Sequence, residues 1–102
     1  QKFKRYNWIH AYPNAAAEVI ALWFGEGNFD KTINIICMEG YDVDCNAAQI
    51  ATVIGIINCE STLQKKWTEP IGDELKTYMR ENKIISIKWL ADYTVNLSKL
   101  LD

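Results

Sequence analysis

The amino-acid sequence predicts an all-α fold, a compact helical bundle. Three observations carry that prediction. Apolar residues recur at steps of three and four through most of the chain. Capping residues stand ahead of the apolar runs at Asn14, Asn28 and Ser86, and glycines stand behind them at Gly25, Gly27 and Gly40. Ala47, Ala51 and Gly55 form a stripe with almost no bulk, which suits the close approach of a neighbouring helix.

Taken in order, the first helix should cover residues 15–24, with Asn14 as its cap and Pro13 fixing the approach of the chain. Only Glu18 is charged in that run, so the helix is expected to be buried on most sides. Asn28 offers a cap for a second helix, and Asp30 lies in its first turn, where the helix dipole favours a carboxylate. Phe29, Ile33, Ile36 and Cys37 recur at helical spacing before Gly40 ends the element. A third helix should run over residues 45–57, and a short one over 61–67, with Pro70 to Asp73 as its exit. Residues 73–85 admit two readings, a helix over 74–80 and a brief extended piece at Ile84 and Ile85. Ser86 then caps a last amphipathic helix carrying Ile87, Leu90, Leu97 and Leu101 on one face. At 102 residues without an internal repeat or linker, a single domain with one core is expected.

Eleven Lys and Arg against thirteen Asp and Glu give a formal net charge of −2. That near-balance offers no broad attraction to nucleic acid or to an anionic membrane. The longest apolar stretch, residues 47–57, is interrupted by Gln49 and Thr52 and is too short to span a bilayer. Neither a nucleic-acid nor a membrane partner is expected. Cys37, Cys45 and Cys59 cannot all pair with one another and match no zinc spacing, so free thiols in the cytoplasm are the simpler reading. The chain opens on Gln1 without a hydrophobic leader, which suggests a fragment or a processed product.

Chemistry is concentrated in residues 39–48, Glu-Gly-Tyr-Asp-Val-Asp-Cys-Asn-Ala-Ala. Asp42 and Asp44 stand two apart, and in an extended or irregular loop such residues can point to the same side. Two carboxylates ~4 Å apart repel by about 4 kcal/mol at an effective dielectric near 20. A divalent cation offsets this best, and hard oxygen ligands suit Mg²⁺, Mn²⁺ or Ca²⁺. The plainer alternative makes Asp44 a helix cap and Asp42 a solvated turn residue. An EF-hand calcium loop starting at Asp42 fails, because Ala47 stands where Gly is needed and Val53 where a bidentate Glu is needed.

Pro13-Asn-Ala-Ala16, Leu22-Trp-Phe-Gly-Glu-Gly-Asn-Phe-Asp30 and Gly40-Tyr-Asp-Val-Asp-Cys-Asn-Ala-Ala48 occur in an order that resembles the ADP-ribosylglycohydrolase family. Trp67-Thr-Glu-Pro70 and residues 86–94 resemble that family's C-terminal end. The resemblance implies that residues 1–102 are the C-terminal part of a larger helical fold. It implies two divalent cations, Mg²⁺ or Mn²⁺, held between helices, with Asp42 and Asp44 matching two of their ligands. It implies hydrolysis of an ADP-ribosyl N- or O-glycosidic bond, so the expected partner is an ADP-ribosylated protein or a small molecule containing ADP-ribose. The remaining ligands and the general base are expected in an N-terminal part of the same domain, since no Asp-Asp pair occurs here. Two carboxylates leave most of a six-coordinate shell to water, so this chain alone should bind metal weakly and catalyse little.

Val43 and Cys45 depart from the family pattern, in which Thr commonly fills both places, and a thiol is a poor ligand for hard Mg²⁺. These departures favour the alternative of a non-enzymatic structural or binding protein on the same fold. His10, without an evident partner in sequence, is read as structural or surface. Cys45 lacks a matched base and is not read as a nucleophile. Trp23, Trp67 and Trp89 are assigned to core packing, and Trp8 and Tyr12 to no specific role.

Overall fold

The computed structural model describes residues 6–100, which form five α-helices, one 3₁₀ turn and a two-stranded sheet. The helical fold is as the periodicity predicts, apart from the small sheet. The chain divides into two compact units, parting between Leu63 and Gln64.

The first unit holds α1 (Ala11–Gly25), α2 (Phe29–Glu39), α3 (Val43–Asn58) and the 3₁₀ turn Glu60–Thr62. Each of the three helices packs on the other two. Ala17 and Ala21 of α1, Ile33 and Ile36 of α2, and Ile50 and Ile54 of α3 meet in the core. Each isoleucine contributes roughly 1.5–3 kcal/mol by leaving water. Small residues on α1 let α2 come close: a Cβ on Gly25 would lie 1.9 Å from the Thr32 hydroxyl oxygen and 3.0 Å from the Thr32 Cα. At the far end, the Asn58 side-chain amide donates to the Gly27 carbonyl (2.8 Å), tying the end of α3 to the α1–α2 turn.

Several sequence expectations are corrected in this unit. The cap of α1 is His10, whose Nδ1 accepts from the Tyr12 amide (3.2 Å), and the helix begins four residues before residue 15. Pro13 therefore sits inside the first turn, where a missing N–H removes no intrahelical bond. The structural reading of His10 thus holds. Burial of α1 on most sides does not: Val19, Ile20, Trp23 and Phe24 are all exposed, Trp23 by 77 %. The other helices of this unit cover only the narrow strip through Asn14, Ala17 and Ala21. The small-residue stripe of α3 gives no close approach at Gly55, where a Cβ would meet nothing within 4 Å, although Ala47 and Ala51 are half-buried. For α2 the reading is borne out, with the Asn28 side chain accepting from the Lys31 amide (2.9 Å) and Gly40 closing the helix.

The second unit holds α4 (Lys65–Thr68), the antiparallel strands β1 (Glu74–Lys76) and β2 (Ile84–Ser86), and α5 (Ile87–Ser98). Strand pairing sets Leu75 opposite Ile85, so the helix reading of residues 74–80 is overturned and the extended reading of Ile84 and Ile85 holds. The short helix foreseen over 61–67 is divided between the 3₁₀ turn and α4. Ser86 caps α5 as its position implies, accepting from the Trp89 amide (2.9 Å). Asp73 anchors the same start, its carboxylate accepting from the Ser86 hydroxyl (2.6 Å) and the Lys88 amide (2.9 Å). Trp89 is 54 % exposed and stacks on Tyr93 at 5.2 Å, rather than filling a core. Leu101, assigned to the apolar face of this helix, lies outside the described residues. No helix among the described residues is long and apolar enough to cross a membrane.

Candidate metal centre

The turn between α2 and α3 delivers both aspartates. Gly40 (φ 78°) and Tyr41 (φ 63°) both take positive φ, reversing the chain within two residues. Glycine adopts this freely, whereas for a side chain such as tyrosine the left-handed region costs about 1–2 kcal/mol. Strain of this kind persists only where the surroundings impose it, and it gathers at functional sites. Asp42 follows as the residue capping α3, Val43 opens the helix, and Asp44 lies in its first turn. The helix thus begins two residues earlier than residue 45, and Asp44 is not its cap.

Asp42 occupies the cap position without capping. Its carboxylate makes no hydrogen bond to the first-turn amides, the usual task of an aspartate placed there. The carboxylate is instead hydrogen-bonded by the Cys45 thiol. One donor atom from each of Asp42, Asp44 and Cys45 lies within 4.8 Å of the others, with Asp42 half-buried and the other two exposed. Hence the structure brings together the two acids singled out in the sequence. It adds the thiol beside them.

Electrostatics in this cluster are one-sided. The Cys45 thiol is pushed above its ordinary value, first by the charge of Asp42, then by its hydrogen bond to that carboxylate, then by the charge of Asp44. A thiol so held favours its protonated form, the opposite of the activated nucleophile that a helix N-terminus can otherwise produce. Donor chemistry matches a hard divalent cation: two carboxylates come close together at the start of a helix. The neutral thiol contributes little to such an ion.

Asn14 ties this turn to α1, a role its sequence position did not disclose. Its side-chain amide is buried (8 % exposed) and uses all of its hydrogen-bonding capacity. Nδ2 donates to the carbonyls of Trp8 (2.7 Å) and His10 (2.9 Å). Oδ1 accepts from the Asp42 amide (3.1 Å) and from Asn46 Nδ2 (2.6 Å). An asparagine beside a proline at a helix start reads as a cap, and only partners 28 and 32 residues away reveal otherwise.

A cavity of about 250 Å³ adjoins the cluster, walled by Ile9, Ala15 and Glu18 on one side and by Asp42, Cys45 and Gln49 on the other. Glu18 thus faces the same space as Asp42, a second acid whose relevance the sequence did not show. A smaller cavity, about 200 Å³, lies between Pro13, Ala16, Ile20, Glu39 and Tyr41. One Glu39 oxygen is buried with no hydrogen-bond partner among the described residues, and burial pushes that carboxyl above its usual range.

No curated protein and no solved structure matches the chain. A family model described as ADP-ribosylglycohydrolase matches residues 1–99, which take in α1, the strained turn, both aspartates and α5. The chain therefore belongs to the ADP-ribosylglycohydrolase family.

Proposed function

We propose that this chain contributes part of the active site of a divalent-metal-dependent hydrolase that cleaves an ADP-ribosyl N- or O-glycosidic bond. Family membership supports the reaction class and an ADP-ribosylated substrate. The observation that carries the metal reading is the approach of an Asp42 and an Asp44 carboxylate oxygen to within 4.8 Å of each other, with Asp42 making no capping bond. Mg²⁺ or Mn²⁺ fits these oxygen donors. Two ions in the complete site follow the family pattern.

When bound, the cation supplies positive charge that orients ribose hydroxyls and polarises water. The chain's own residues hold its place. Gly40 and Tyr41 set the turn, Asp42 and Asp44 bring the negative charge, and Glu18 and Gln49 border the space where a sugar would lie. Two carboxylates fill a minority of a six-coordinate shell, so the remaining donors and the general base come from residues outside this chain. We therefore expect residues 1–102 alone to bind metal weakly and to catalyse little. Three free cysteines suit a reducing compartment, and we place the protein in the cytoplasm.

The second reading is a non-enzymatic scaffold on the same fold. It draws on Cys45, whose thiol hydrogen-bonds the Asp42 carboxylate in the place where a harder donor would serve a metal better. One pair of measurements separates the two. Mn²⁺ binding is followed by the loss of its free-ion paramagnetic resonance signal, in the protein and in Asp42→Ala and Asp44→Ala. Release of ADP-ribose from ADP-ribosylated arginine and serine peptides is followed by mass spectrometry. Binding that weakens at least tenfold in each variant, with ADP-ribose released by the complete protein, supports the hydrolase. Binding indifferent to both substitutions, with no release from any linkage, leaves the scaffold.

A further inference from the structure

We infer that Asn14 is a positioning residue of the metal centre: its buried amide holds the Asp42 backbone so that the Asp42 carboxylate stays off the α3 amides and beside Asp44, where a cation can take it. This rests on the metal reading of Asp42 and Asp44 given above.

Consider what α3 needs at its start. The first amides of a helix lack intrahelical acceptors, and an aspartate at the cap position ordinarily turns its carboxylate inward to accept from them. A carboxylate so occupied is aimed along the helix backbone and has lost acceptor capacity. Here the Asp42 amide itself is satisfied from outside the helix, by Asn14 Oδ1 at 3.1 Å. The Asn46 side chain, one turn further on, is fixed by the same oxygen at 2.6 Å. The first turn of α3 is therefore held by an oxygen belonging to α1, and Asp42 makes no capping bond of its own.

That oxygen is itself rigidly placed. Nδ2 is spent on two carbonyls, Trp8 and His10, on the segment that leads into α1. With both donors and both acceptors engaged and the group buried, the amide cannot turn over or swing away without leaving polar atoms unpaired. The strained backbone at Tyr41 lies directly before the pinned amide, and a bond at the next residue is what keeps such a conformation from relaxing. Freed of Asn14, the turn gains two ways to lower its energy: Tyr41 returns to negative φ, and the Asp42 carboxylate folds back onto the first-turn amides. Either one separates Asp42 from Asp44.

Asn14→Ala removes the bolt, Asn14→Ser leaves a hydroxyl too short to reach both partners, and Asn14→Asp keeps oxygens for Asp42 and Asn46 while giving up the donors to Trp8 and His10. Mn²⁺ affinity is measured by paramagnetic resonance well below each melting temperature, and exchange of the Asp42 amide hydrogen is followed by NMR without metal. Asn14→Ala should weaken Mn²⁺ binding at least tenfold and speed exchange at Asp42. Asn14→Asp should weaken binding clearly less than Asn14→Ala, since it keeps the acceptor oxygen for Asp42 and Asn46 while losing the donors that steady it. Its added negative charge can only favour a cation, so a loss there would not be an effect of charge. Should Asn14→Ala prove unfolded, Asn14→Ser takes its place. A merely structural role predicts lower melting temperatures with unchanged affinity in the folded variants, and that result overturns the proposal. Equal losses in Asn14→Ala and Asn14→Asp also overturn it. If Asp42→Ala binds Mn²⁺ as well as the original protein, the metal reading falls and takes the proposal with it. In that event, faster exchange at Asp42 in Asn14→Ala would still show the amide bond to be real, so the two failures are told apart.

Discussion

Gly25→Ala should destabilise the first unit by about 2 kcal/mol, and the figure can be worked from one contact. The added Cβ would stand 1.9 Å from Thr32 Oγ1, 2.8 Å from Thr32 Cβ and 3.0 Å from Thr32 Cα. Rotating the Thr32 side chain removes the first clash but breaks the bond from its hydroxyl to the Asn28 carbonyl (2.7 Å). Because Thr32 is fully buried, the loss of that bond costs about 1 kcal/mol. Rotation leaves Cβ and Cα in place, so α1 and α2 must separate by about 0.6 Å to restore an ordinary 3.4 Å contact with Cβ. Overpacking of this kind costs roughly 1–3 kcal/mol. Against it stands the preference of a helix for alanine over glycine, about 1 kcal/mol, only partly realised at the last residue of α1. Dispersal of the clash over two helices keeps the net near ~2 kcal/mol, equivalent to a fall of roughly 8–16 °C in melting temperature. Urea unfolding monitored by tryptophan fluorescence measures it, with the midpoint shifting and the slope unchanged. The same substitution made together with Thr32→Gly should cost clearly less than it does alone. A cost below about 0.5 kcal/mol, or an equal cost in both backgrounds, would show that the two helices are not held in contact at this point.

Cys45 should be alkylated by iodoacetamide more slowly at pH 8 than the exposed Cys37 and Cys59, because its carboxylate neighbours hold its pKa up. Asp42→Asn should speed that reaction, which peptide mass spectrometry resolves residue by residue. Glu39→Gln should raise stability at neutral pH by about 0.5–1 kcal/mol, because it keeps the shape of the side chain and removes the charge from a partly buried carboxyl. A carboxyl raised by burial binds its proton more tightly folded than unfolded, so the original protein loses stability as pH climbs above the ordinary carboxylate value of 4.5. Glu39→Gln should lack that decline in urea unfolding curves taken across the window. Asp73 behaves oppositely: the Ser86 hydroxyl and then the Lys88 amide hold its pKa below 3.8. Its contribution is complete above that value and is lost as pH falls through the depressed one, so the helical signal of α5 should fade at the acid end. Asp73→Ala should show the faded signal at neutral pH as well, as reduced amide protection in α5.

What the sequence disclosed were features whose cause is local. Asn28 and Ser86 cap helices because their partners lie three residues ahead, and Gly40 ends α2 because the chain needs a positive φ there. Asp42 and Asp44 were legible for the same reason, since both donors lie within three consecutive residues. Asn14 was not. A cap and a tertiary bolt look alike in a linear string, and what distinguishes them here is a pair of partners on another helix. Exposure misled for a related reason: the nearly uncharged run of α1 reads as buried, yet α2 and α3 cover only its small residues and leave Trp23 and Phe24 to solvent. Residues 73–85 were ambiguous because their pairing is set across a hairpin, Leu75 against Ile85, and neither half shows a period of its own.

Division of labour between Asp42 and Asn14 has a consequence for anyone wishing to move this acidic turn elsewhere. A linear peptide copying residues 39–58 would contain both aspartates, the glycine and the whole of α3. It would lack the amide that fastens them, which lies 28 positions upstream of Asp42. Such a peptide should populate many turn geometries, and ion capture would bear the cost of ordering the backbone, roughly 1–2 kcal/mol for each residue fixed. Transplantation therefore calls for two pieces, the acidic turn and the start of α1, held in register by the host.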